Sequence, residues 1–385
     1  MLQSKLPLVG TTIFTTMSEM AVEYGAINLS QGYPDFSPPK ALLEALSRAM
    51  NEGKNQYPPM IGIPELRLQI QNKVREMYFA DIDMDQEITI TSGATEALFV
   101  AIQAAVHHGD EVIVIDPAYD AYDPAIQLAG GTPVHVSMDS TFEIDWQKIE
   151  DSITTRTSTL ILNSPHNPSG SILKDKDLNE LSRISEQYNL TLISDEVYEH
   201  MVFDGIKHLS LLGHPALSAR SFVISSFGKT YHATGWKVGY AIAPPAFTNE
   251  FRKIHQFVTF TTHTPSQYAI ADYMTHHADH HRQLPDFYQN KRDLFLALMS
   301  SSEFRMTPTP GTYFQLADYS TISDMDDQSF ATHLTQKVGV AAIPISVFYQ
   351  SPPNQKIVRF CFAKDDATLR LAAEKLINFS QAPGV

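Results

Sequence analysis

Residues 159–170 read TLILNSPHNPSG, an apolar run that passes directly into a polar turn containing two asparagines. The run is short, aliphatic and nearly free of polar residues, which is typical of a strand buried on both faces of a sheet. The turn places amide side chains where the strand ends. Because ligands of open α/β sheets bind beyond the carboxyl ends of the strands, this stretch predicts both a fold class and the place of a site.

The same sequence of apolar run and turn recurs on both sides of this stretch. Further apolar runs lie at residues 88–91, 112–115, 190–193, 222–225 and 238–242. Amphipathic segments between them, among them 96–106 and 178–187, have the length and pattern of covering helices. This alternation predicts an α/β fold with a mostly parallel sheet and helices on both faces.

The two ends of the chain do not follow this rhythm. Residues 1–40 contain the proline-rich loop QGYPDFSPP at 31–39, and residues 286–385 contain a charged helical stretch, a turn, two strand-like segments and a final helix. We therefore predict a large domain over 41–285. A smaller α+β domain is predicted to form from 286–385 together with part of the N-terminal arm, 1–40.

The composition excludes several classes of protein. The chain has 385 residues, 43% of them hydrophobic, and a formal net charge of −15. It is too apolar to be disordered, and its charge disfavours nucleic acid or an anionic membrane as a partner. No apolar run approaches the ~20 residues of a membrane span, and the N-terminal residues lack a secretory pattern, so we expect a cytoplasmic protein.

The single cysteine, Cys361, lies in an apolar run and is predicted to be a buried, inert thiol.

Reactive and polar side chains collect at the predicted strand ends. Residues 92–96 (SGATE) follow one strand and open a helix, whose free amides can hold an anion. Asp195 and Tyr198 follow another strand, and Lys229 and Lys237 follow a third. Each feature alone is compatible with an ordinary cap, turn or solvated end. Together they supply an anion cradle, an amide, a carboxylate with a nearby phenol, and two lysines.

Pyridoxal 5'-phosphate requires such a set of groups. Its aldehyde needs a lysine, its pyridine nitrogen needs a carboxylate, and its phosphate needs cations, hydroxyls and amides. Its ring needs a flat surface, which Tyr119 could provide. Arg359 is the only charge in the apolar run at 357–362. A buried guanidinium there needs an anionic partner, either a substrate carboxylate or an internal acidic side chain.

At these residues the sequence resembles the class I/II aminotransferases of the fold-type-I pyridoxal-phosphate enzymes. Residues 226–240 are similar to their lysine motif, 163–168 to their Asn-Pro-x-Asn-Pro turn, and 195–198 to their acidic strand end. The resemblance covers nearly the whole chain and implies an aspartate-aminotransferase-like fold. Residues 31–36 and 225–232 are most similar to the branch that contains kynurenine, glutamine and methionine aminotransferases.

The resemblance also implies a role for each candidate site residue. The implied catalytic residue is Lys229, which forms a Schiff base with the cofactor and moves the substrate proton. The implied contacts to the cofactor ring come from Tyr119, Asn167, Asp195 and Tyr198. The implied phosphate ligands are Ala94, Thr95, Ser226, Lys237 and, from a partner subunit, Tyr57. The implied ligands of the substrate carboxylate are Arg359, Gly32 and Asn167. Three positions depart from the family pattern: Lys237 where arginine is common, Ser164 for proline and Ser169 for threonine.

The activity that this resemblance implies is amino transfer by a ping-pong mechanism. The donor would be an apolar, aromatic or thioether L-amino acid, with methionine the first candidate, and the acceptor a 2-oxo acid. The implied assembly is a homodimer with shared active sites. A cysteine-conjugate C–S β-lyase using the same lysine is the alternative. A non-enzymatic sensor that binds DNA is disfavoured by the charge of −15. A nicotinamide-dependent dehydrogenase is disfavoured because no Gly-x-Gly-x-x-Gly follows the first strand.

Three weaker signals leave two readings open. Residues 276–281 (HHADHH) have the spacing of metal ligands on a helix, but a solvated polar face is favoured and no metal site is expected. Phe260 is expected to be a core residue; it could instead line a substrate pocket, or enter a neighbouring subunit's site as the resemblance suggests. Residues 13–14 and Tyr33 could line a pocket for an apolar side chain or simply pack.

Overall fold

The structure is a computed structural model that describes residues 2–7 and 9–382. The strands, numbered β1 to β12 in chain order, are Ile27–Asn28, Ile88–Thr91, Glu111–Asp116, Thr132–Ser137, Thr157–Asn163, Thr191–Asp195, Ser221–Ser226, Gly239–Ile242, Phe314–Asp318, Val340–Ala341, Ile343–Pro344 and Ile357–Cys361. The α-helices, numbered α1 to α14, are Ile13–Glu23, Lys40–Asn51, Pro64–Tyr78, Ala94–Ala105, Tyr122–Ala129, Trp146–Asp151, Asp175–Gln187, Pro215–Ser218, Phe227–Thr230, Pro245–Val258, Thr264–His276, His280–Met299, Asp327–His333 and Asp366–Ser380. None of the helices in these described ranges is long and apolar enough to span a membrane.

The central sheet has seven strands in the order β2-β8-β7-β6-β5-β3-β4. Strand β8 runs antiparallel to both of its neighbours, β2 and β7. The other neighbouring pairs are parallel. The parallel strands β3, β5, β6 and β7 therefore all end at the same edge. The prediction of an α/β fold with a mostly parallel sheet is confirmed.

Both faces of this sheet are covered, as the alternation of side chains along β3 illustrates. Ile113 and Ile115 belong to a core that also contains apolar residues of α2, α3, α7 and α11. Val112 and Val114 belong to a second core with residues of α4, α5 and α10. Burial on both sides explains why these strands are nearly continuous apolar runs in the sequence.

A third core draws on both ends of the chain. It contains Met17 of α1 and Leu29 together with Phe295 of α12, Phe360 of β12 and Leu376 of α14. Its antiparallel sheet has the order β11-β12-β9, and β1 pairs in parallel with β10. The lone thiol, Cys361, is fully buried in β12, as predicted. The domain boundaries at residues 40 and 285 stay a prediction.

Strand β4 of the central sheet was not predicted from the sequence. Strand β4 lies at the edge and is mostly half-buried, so its residues do not form a continuous apolar run. It also contains Pro133, which weakens a strand pattern but is tolerated at an edge. Helices α4 and α7 begin a few residues earlier than predicted, at Ala94 and Asp175.

A close backbone contact seats α4 on the sheet. A Cβ placed on Gly239 would stand 2.8 Å from the backbone nitrogen of Ala94 and 2.8 Å from the carbonyl carbon of Gly93. It would also stand 2.8 Å from the carbonyl oxygen of Ser225. Three backbone atoms from two segments therefore allow only a glycine at this position of β8.

We predict that Gly239→Ala destabilises the protein by about 1–3 kcal/mol, because the backbone atoms around the added methyl group cannot yield without moving α4 or β7. Urea denaturation followed by circular dichroism measures the change. Gly235→Ala is the matched control, since nothing lies within 4 Å of a Cβ at Gly235. Equal stability of the two variants would contradict the close contact.

Candidate active site

A cavity of about 330 Å³ lies at the carboxyl ends of the parallel strands. It is bounded by the start of α4, the turn after β5, the segment after β6, helix α9 and strand β12. The predicted site residues that line it are Gly32, Ala94, Thr95, Tyr119, Asn167, Asp195, Tyr198, Ser226, Lys229, Lys237 and Arg359. Of the predicted set, Tyr57 is the residue that does not line this cavity.

Lys229 projects into the cavity from the short helix α9. Ser226 is the N-cap of this helix. Its hydroxyl accepts a hydrogen bond from the Gly228 backbone amide at 3.2 Å. The Lys229 ammonium donates to the carbonyl oxygen of Gly32 and to the Tyr313 hydroxyl, both at 2.9 Å. Burial lowers the pKa of Lys229 to about 8. Near neutral pH the neutral amine, the form that acts as nucleophile or base, is therefore more populated than in an exposed lysine.

Asp195 lies at the end of β6 and is buried. One carboxylate oxygen accepts a hydrogen bond from the Tyr122 hydroxyl at 2.8 Å, and the other from the Val197 amide at 3.3 Å. Burial raises the pKa of Asp195 to about 6. A cation bound beside this carboxylate would favour its ionised form, so the carboxylate suits a protonated ring nitrogen.

An anion cradle is formed at the start of α4. The amides of Ala94 and Thr95 have no intrahelical acceptor, because they lie at the start of the helix. Gly93 precedes them with φ +79° and has no side chain to cap them, so they remain available to a ligand. A Cβ on Gly93 would stand 3.2 Å from the Lys237 ammonium, which places this cation beside the helix start. Together with the Ser226 hydroxyl, these groups suit a small dianion such as a phosphate.

Arg359 is fully buried. Its guanidinium donates to the amide oxygen of Asn167 at 2.6 Å and to the carbonyl oxygen of Ser30 at 3.0 Å, and it stacks 3.8 Å from the ring centre of Phe314. Its Nε has no hydrogen-bond partner. Among the ion pairs of residues 2–7 and 9–382 none involves Arg359, so the alternative of an internal salt bridge is wrong; the charge of Asp120 acts on Arg359 from a longer distance. The site retains a buried positive charge that an anionic ligand can neutralise.

The turn after β5, residues 163–170, links Asp195 to Arg359. Asn163 accepts a hydrogen bond from the Asn167 amide at 2.7 Å, and its own side-chain amide donates to the carbonyl oxygen of Asp195 at 2.8 Å. Tyr198 is buried beside Tyr313, with ring centres 5.2 Å apart. The turn is thereby held against the end of β6, with Asn167 directed at Arg359.

Three residues of the site were not assigned from the sequence. Asn163 lies in the quoted turn, where its strand-end position was a usable signal. Tyr122 contacts Asp195 because α5 begins just after the loop that carries Tyr119. Tyr313 reaches Lys229 from the third core, and only its place after a Gly-Thr turn marked it.

The solvent exposure and cavity contacts of Phe260, Phe14 and Tyr33 decide the predictions made for these residues. Phe260 is 46% exposed, so its expected place in the core is wrong. It packs instead edge-on against Tyr57, which is 83% exposed, with ring centres 5.5 Å apart. Phe14 lines the cavity, whereas Tyr33 is exposed and lies outside its lining.

The histidine-rich segment 276–281 does not form one solvated face. Its first two histidines are exposed, but His280 places Nε2 3.0 Å from the carbonyl oxygen of Thr230. His281 is buried with its ring centre 5.1 Å from that of His200. In the part of the chain that the structure describes, no group of three or more His, Cys, Asp or Glu side chains could hold a metal ion.

A buried ion pair supports the floor of the site. The Lys73 ammonium lies 2.6 Å from a Glu199 oxygen, and both side chains are buried. The hydroxyls of Tyr78, Tyr240 and Ser225 also donate to Glu199. Burial by itself would raise the pKa of Glu199, but the charge and hydrogen bond of Lys73, together with the Ser225 hydroxyl, hold it well below its usual value. Because Ser225 directly precedes Ser226, this network fixes the strand end that leads into Lys229.

A lysine and a carboxylate at strand ends of the central sheet, an anion cradle at the start of α4 and a buried arginine from β12 thus line one cavity. The chain matches the family Aminotransferase class I and II over residues 24–376, and it belongs to that family. The predicted family and the prediction of an aminotransferase enzyme are therefore confirmed.

Individual relatives cover nearly the whole chain. Methionine aminotransferase of Escherichia coli (strain K12) is 48% identical over 97% of both chains. Kynurenine–oxoglutarate transaminase 1 of Homo sapiens is 34% identical over 93% of both.

Solved structures agree with this assignment. The structure of YbdL from Escherichia coli, described as having a methionine aminotransferase function, has a TM-score of 0.96 at 48% identity, covering 98% of this chain and 99% of that one. Aspartate aminotransferase of Thermus thermophilus has a TM-score of 0.90 at 28% identity, covering 98% and 99%. The fold is thus aspartate-aminotransferase-like, as predicted.

Proposed function

We propose that this aminotransferase uses pyridoxal 5'-phosphate to move the amino group of an apolar, aromatic or thioether L-amino acid, with methionine preferred, to a 2-oxo acid by a ping-pong mechanism. The observation that carries this proposal is the pairing, in one cavity, of a buried lysine of lowered pKa with a buried arginine that forms no ion pair with any described residue. The lysine suits the reacting amine, and the arginine suits the substrate carboxylate.

The residues present fit the cofactor. When bound, pyridoxal phosphate supplies an aldehyde that condenses with amines and a cationic ring that accepts electrons from the substrate α-carbon. The start of α4 with Lys237 and Ser226 would hold its phosphate, and Asp195 would pair with its ring nitrogen. Tyr119 would stack on the ring. Asn167 and Tyr198 would hydrogen-bond the 3-oxygen.

The proton is moved by Lys229 in this proposal. Its amine is held by the Gly32 carbonyl and the Tyr313 hydroxyl, so its position in the cavity is defined. A neutral amine there can remove the proton from the substrate α-carbon and return it to another position as an ammonium. The Gly32 carbonyl and the Tyr313 hydroxyl limit the directions in which the amine can point.

The substrate is oriented by Arg359. Its planar guanidinium can bind a carboxylate through two parallel hydrogen bonds, and the amide of Asn167 and the Gly32 backbone would complete that subsite. The remaining wall includes the apolar side chains of Phe14, Val197 and Phe314. An apolar wall favours a substrate side chain without charge, and the 48% identity to a methionine aminotransferase supports a thioether.

We predict that Lys229→Ala abolishes nearly all turnover and removes the visible absorbance that pyridoxal phosphate acquires on binding to lysine, because no other amine replaces Lys229 at its position. Absorbance spectroscopy and a coupled transamination assay measure both effects. Lys207→Ala, which removes an exposed lysine, is the control and should match the wild type. Full activity of Lys229→Ala with an unchanged spectrum would refute the assignment.

We predict that Arg359→Ala weakens the binding of substrate carboxylates by about 1–3 kcal/mol or more, the value of a hydrogen-bonded charge. Spectral titration with methionine and with a dicarboxylate inhibitor gives the dissociation constants. The exposed Arg305 supplies the control substitution, Arg305→Ala. Unchanged affinity in Arg359→Ala would show that the carboxylate binds elsewhere.

The donor preference is tested by a panel of amino acids against one 2-oxo acid. Methionine should turn over with the highest kcat/KM, followed by aromatic and other apolar donors. No contact among the described residues favours the C–S β-lyase alternative. Pyruvate released from a cysteine conjugate in the absence of any 2-oxo acid would nevertheless establish it, and preferred turnover of an acidic donor would contradict the apolar pocket.

A homodimer with shared sites belongs to the same proposal. Tyr57 and Phe257 are 83% and 85% exposed, and Phe260 lies beside Tyr57. Such exposed apolar side chains suit an interface, through which Tyr57 would reach the phosphate bound by a partner subunit. We predict a dimer by size-exclusion chromatography with light scattering, and weaker cofactor retention in Tyr57→Ala. A monomer with full activity would contradict this arrangement.

A further inference from the structure

A buried histidine outside the cavity is held between two carboxylates. His135 lies on the edge strand β4, and its side chain is 7% exposed. Its Nδ1 is 2.7 Å from an Asp116 oxygen, and its Nε2 is 3.0 Å from an Asp123 oxygen. An ionised carboxylate can only accept, so both ring nitrogens act as donors and the ring carries a proton on each.

The two carboxylates mark the ends of one functional segment. Asp116 ends β3 and Asp123 lies in the first turn of α5, so the segment between them contains Tyr119 in the loop and Tyr122 at the start of the helix. Tyr119 lines the cavity, and Tyr122 donates to Asp195. His135 therefore joins the two ends of a loop that supplies one wall of the site and one hydrogen bond to its carboxylate.

The same contact extends to the third core. The second oxygen of Asp116 accepts a hydrogen bond from the Gln350 amide at 3.0 Å. Within the same loop, the Ala118 amide donates to the carbonyl oxygen of Phe348 at 2.7 Å. The buried Phe348 ring has its centre 5.8 Å from the guanidinium carbon of Arg359. The loop is thus fastened to the segment that packs around the carboxylate-binding arginine.

We propose that His135 is a positioning residue whose cation joins both ends of the segment 116–123, an arrangement called the tie below. Through Asp116 the tie also holds the segment 348–350 beside Arg359. Substrate affinity therefore depends on the protonation of His135. The proposal rests on the proposed function for the roles of Tyr119 and Arg359. His135 itself touches neither the cavity nor any reacting atom.

The groups that face His135 determine how it titrates. Burial alone lowers its pKa, but the hydrogen bonds to Asp116 and Asp123 outweigh this and bring the pKa to about 9. From the third core, Tyr349 faces Asp116, and its pKa is raised mainly by burial. Because the folded-state pKa of His135 lies above the ordinary value of 6.5, the tie is complete below about pH 6.5 and is lost as the pH rises through about 9.

The test compares His135→Gln with the wild-type holoenzyme between pH 6 and 10. At pH 7 we expect KM for methionine to rise by up to about tenfold, the limit reached when the whole free energy of one charge-assisted hydrogen bond is transmitted to the Arg359 subsite, while kcat changes less than about twofold. The ratio of the two KM values should fall towards unity above pH 9. His276→Gln removes an exposed histidine and should leave KM unchanged. A KM ratio near unity at pH 7, or one that does not vary with pH, would overturn the proposal.

A milder variant covers the case in which His135→Gln does not fold. The carboxylate of Asp123 is 38% exposed, so Asp123→Asn weakens one side of the tie at little cost to the core. It should raise KM in the same direction, by about threefold. An unchanged KM in a folded Asp123→Asn enzyme would overturn the proposal.

Thermal melting separates this inference from the proposed function. The difference in Tm between the wild type and a tie variant should shrink from pH 7 to pH 10, whether or not methionine is the substrate. If the wild type binds no pyridoxal phosphate, the proposed function fails. The pH dependence of the Tm difference still tests the role of His135 in that case. A Tm difference that does not vary with pH would refute the protonated histidine.

Discussion

The buried guanidinium of Arg359 imposes the strongest physical constraint on this structure. A fully buried cation is costly unless it is paired, and here its protein partners are an amide oxygen and a backbone carbonyl, not a carboxylate. These partners, Asn167 and Ser30, belong to segments far apart in the sequence. The N-terminal segment, the turn after β5 and strand β12 must therefore all converge on one charge. The Phe314 ring stacks on the guanidinium, and in the proposed function this charge is kept for the carboxylate of the substrate.

The central sheet was largely predictable because burial on both faces leaves a strong pattern. Strands β2, β3, β5, β6, β7 and β8 coincide with apolar runs, and the covering helices follow from amphipathic segments. Strand β4 was not predicted, since an edge strand is half-buried and carries Pro133. The antiparallel direction of β8 also left no local signal. Strand direction depends on how the chain crosses the sheet after Lys237, and periodicity along a strand is the same in both directions.

The candidate site was predictable where residue type and position coincide. Asp195 ends strand β6 and Lys229 lies in the short helix that follows β7, so their convergence followed from the sheet. Tyr122 and Tyr313 are equally close to the chemistry, but they reach it through the packing of α5 and of the third core. The contacts of His135 were also not predictable, because they exist only where β4 pairs with β3 at the edge of the sheet. Contacts that depend on tertiary packing leave no spacing rule in the sequence.

The anion cradle joins two segments that are distant along the chain. Gly239 brings the start of α4 against β8, and the loop before β8 contributes Lys237 to the same place. A dianion bound there would act as a reversible cross-link between the first strand-helix unit of the sheet and its late antiparallel strand. Since the two segments come together only in the folded chain, such a ligand would stabilise the folded state in proportion to the logarithm of its free concentration once that exceeds the dissociation constant. In the proposed enzyme, the lifetime of the polypeptide in the cell would then be coupled to the supply of its cofactor.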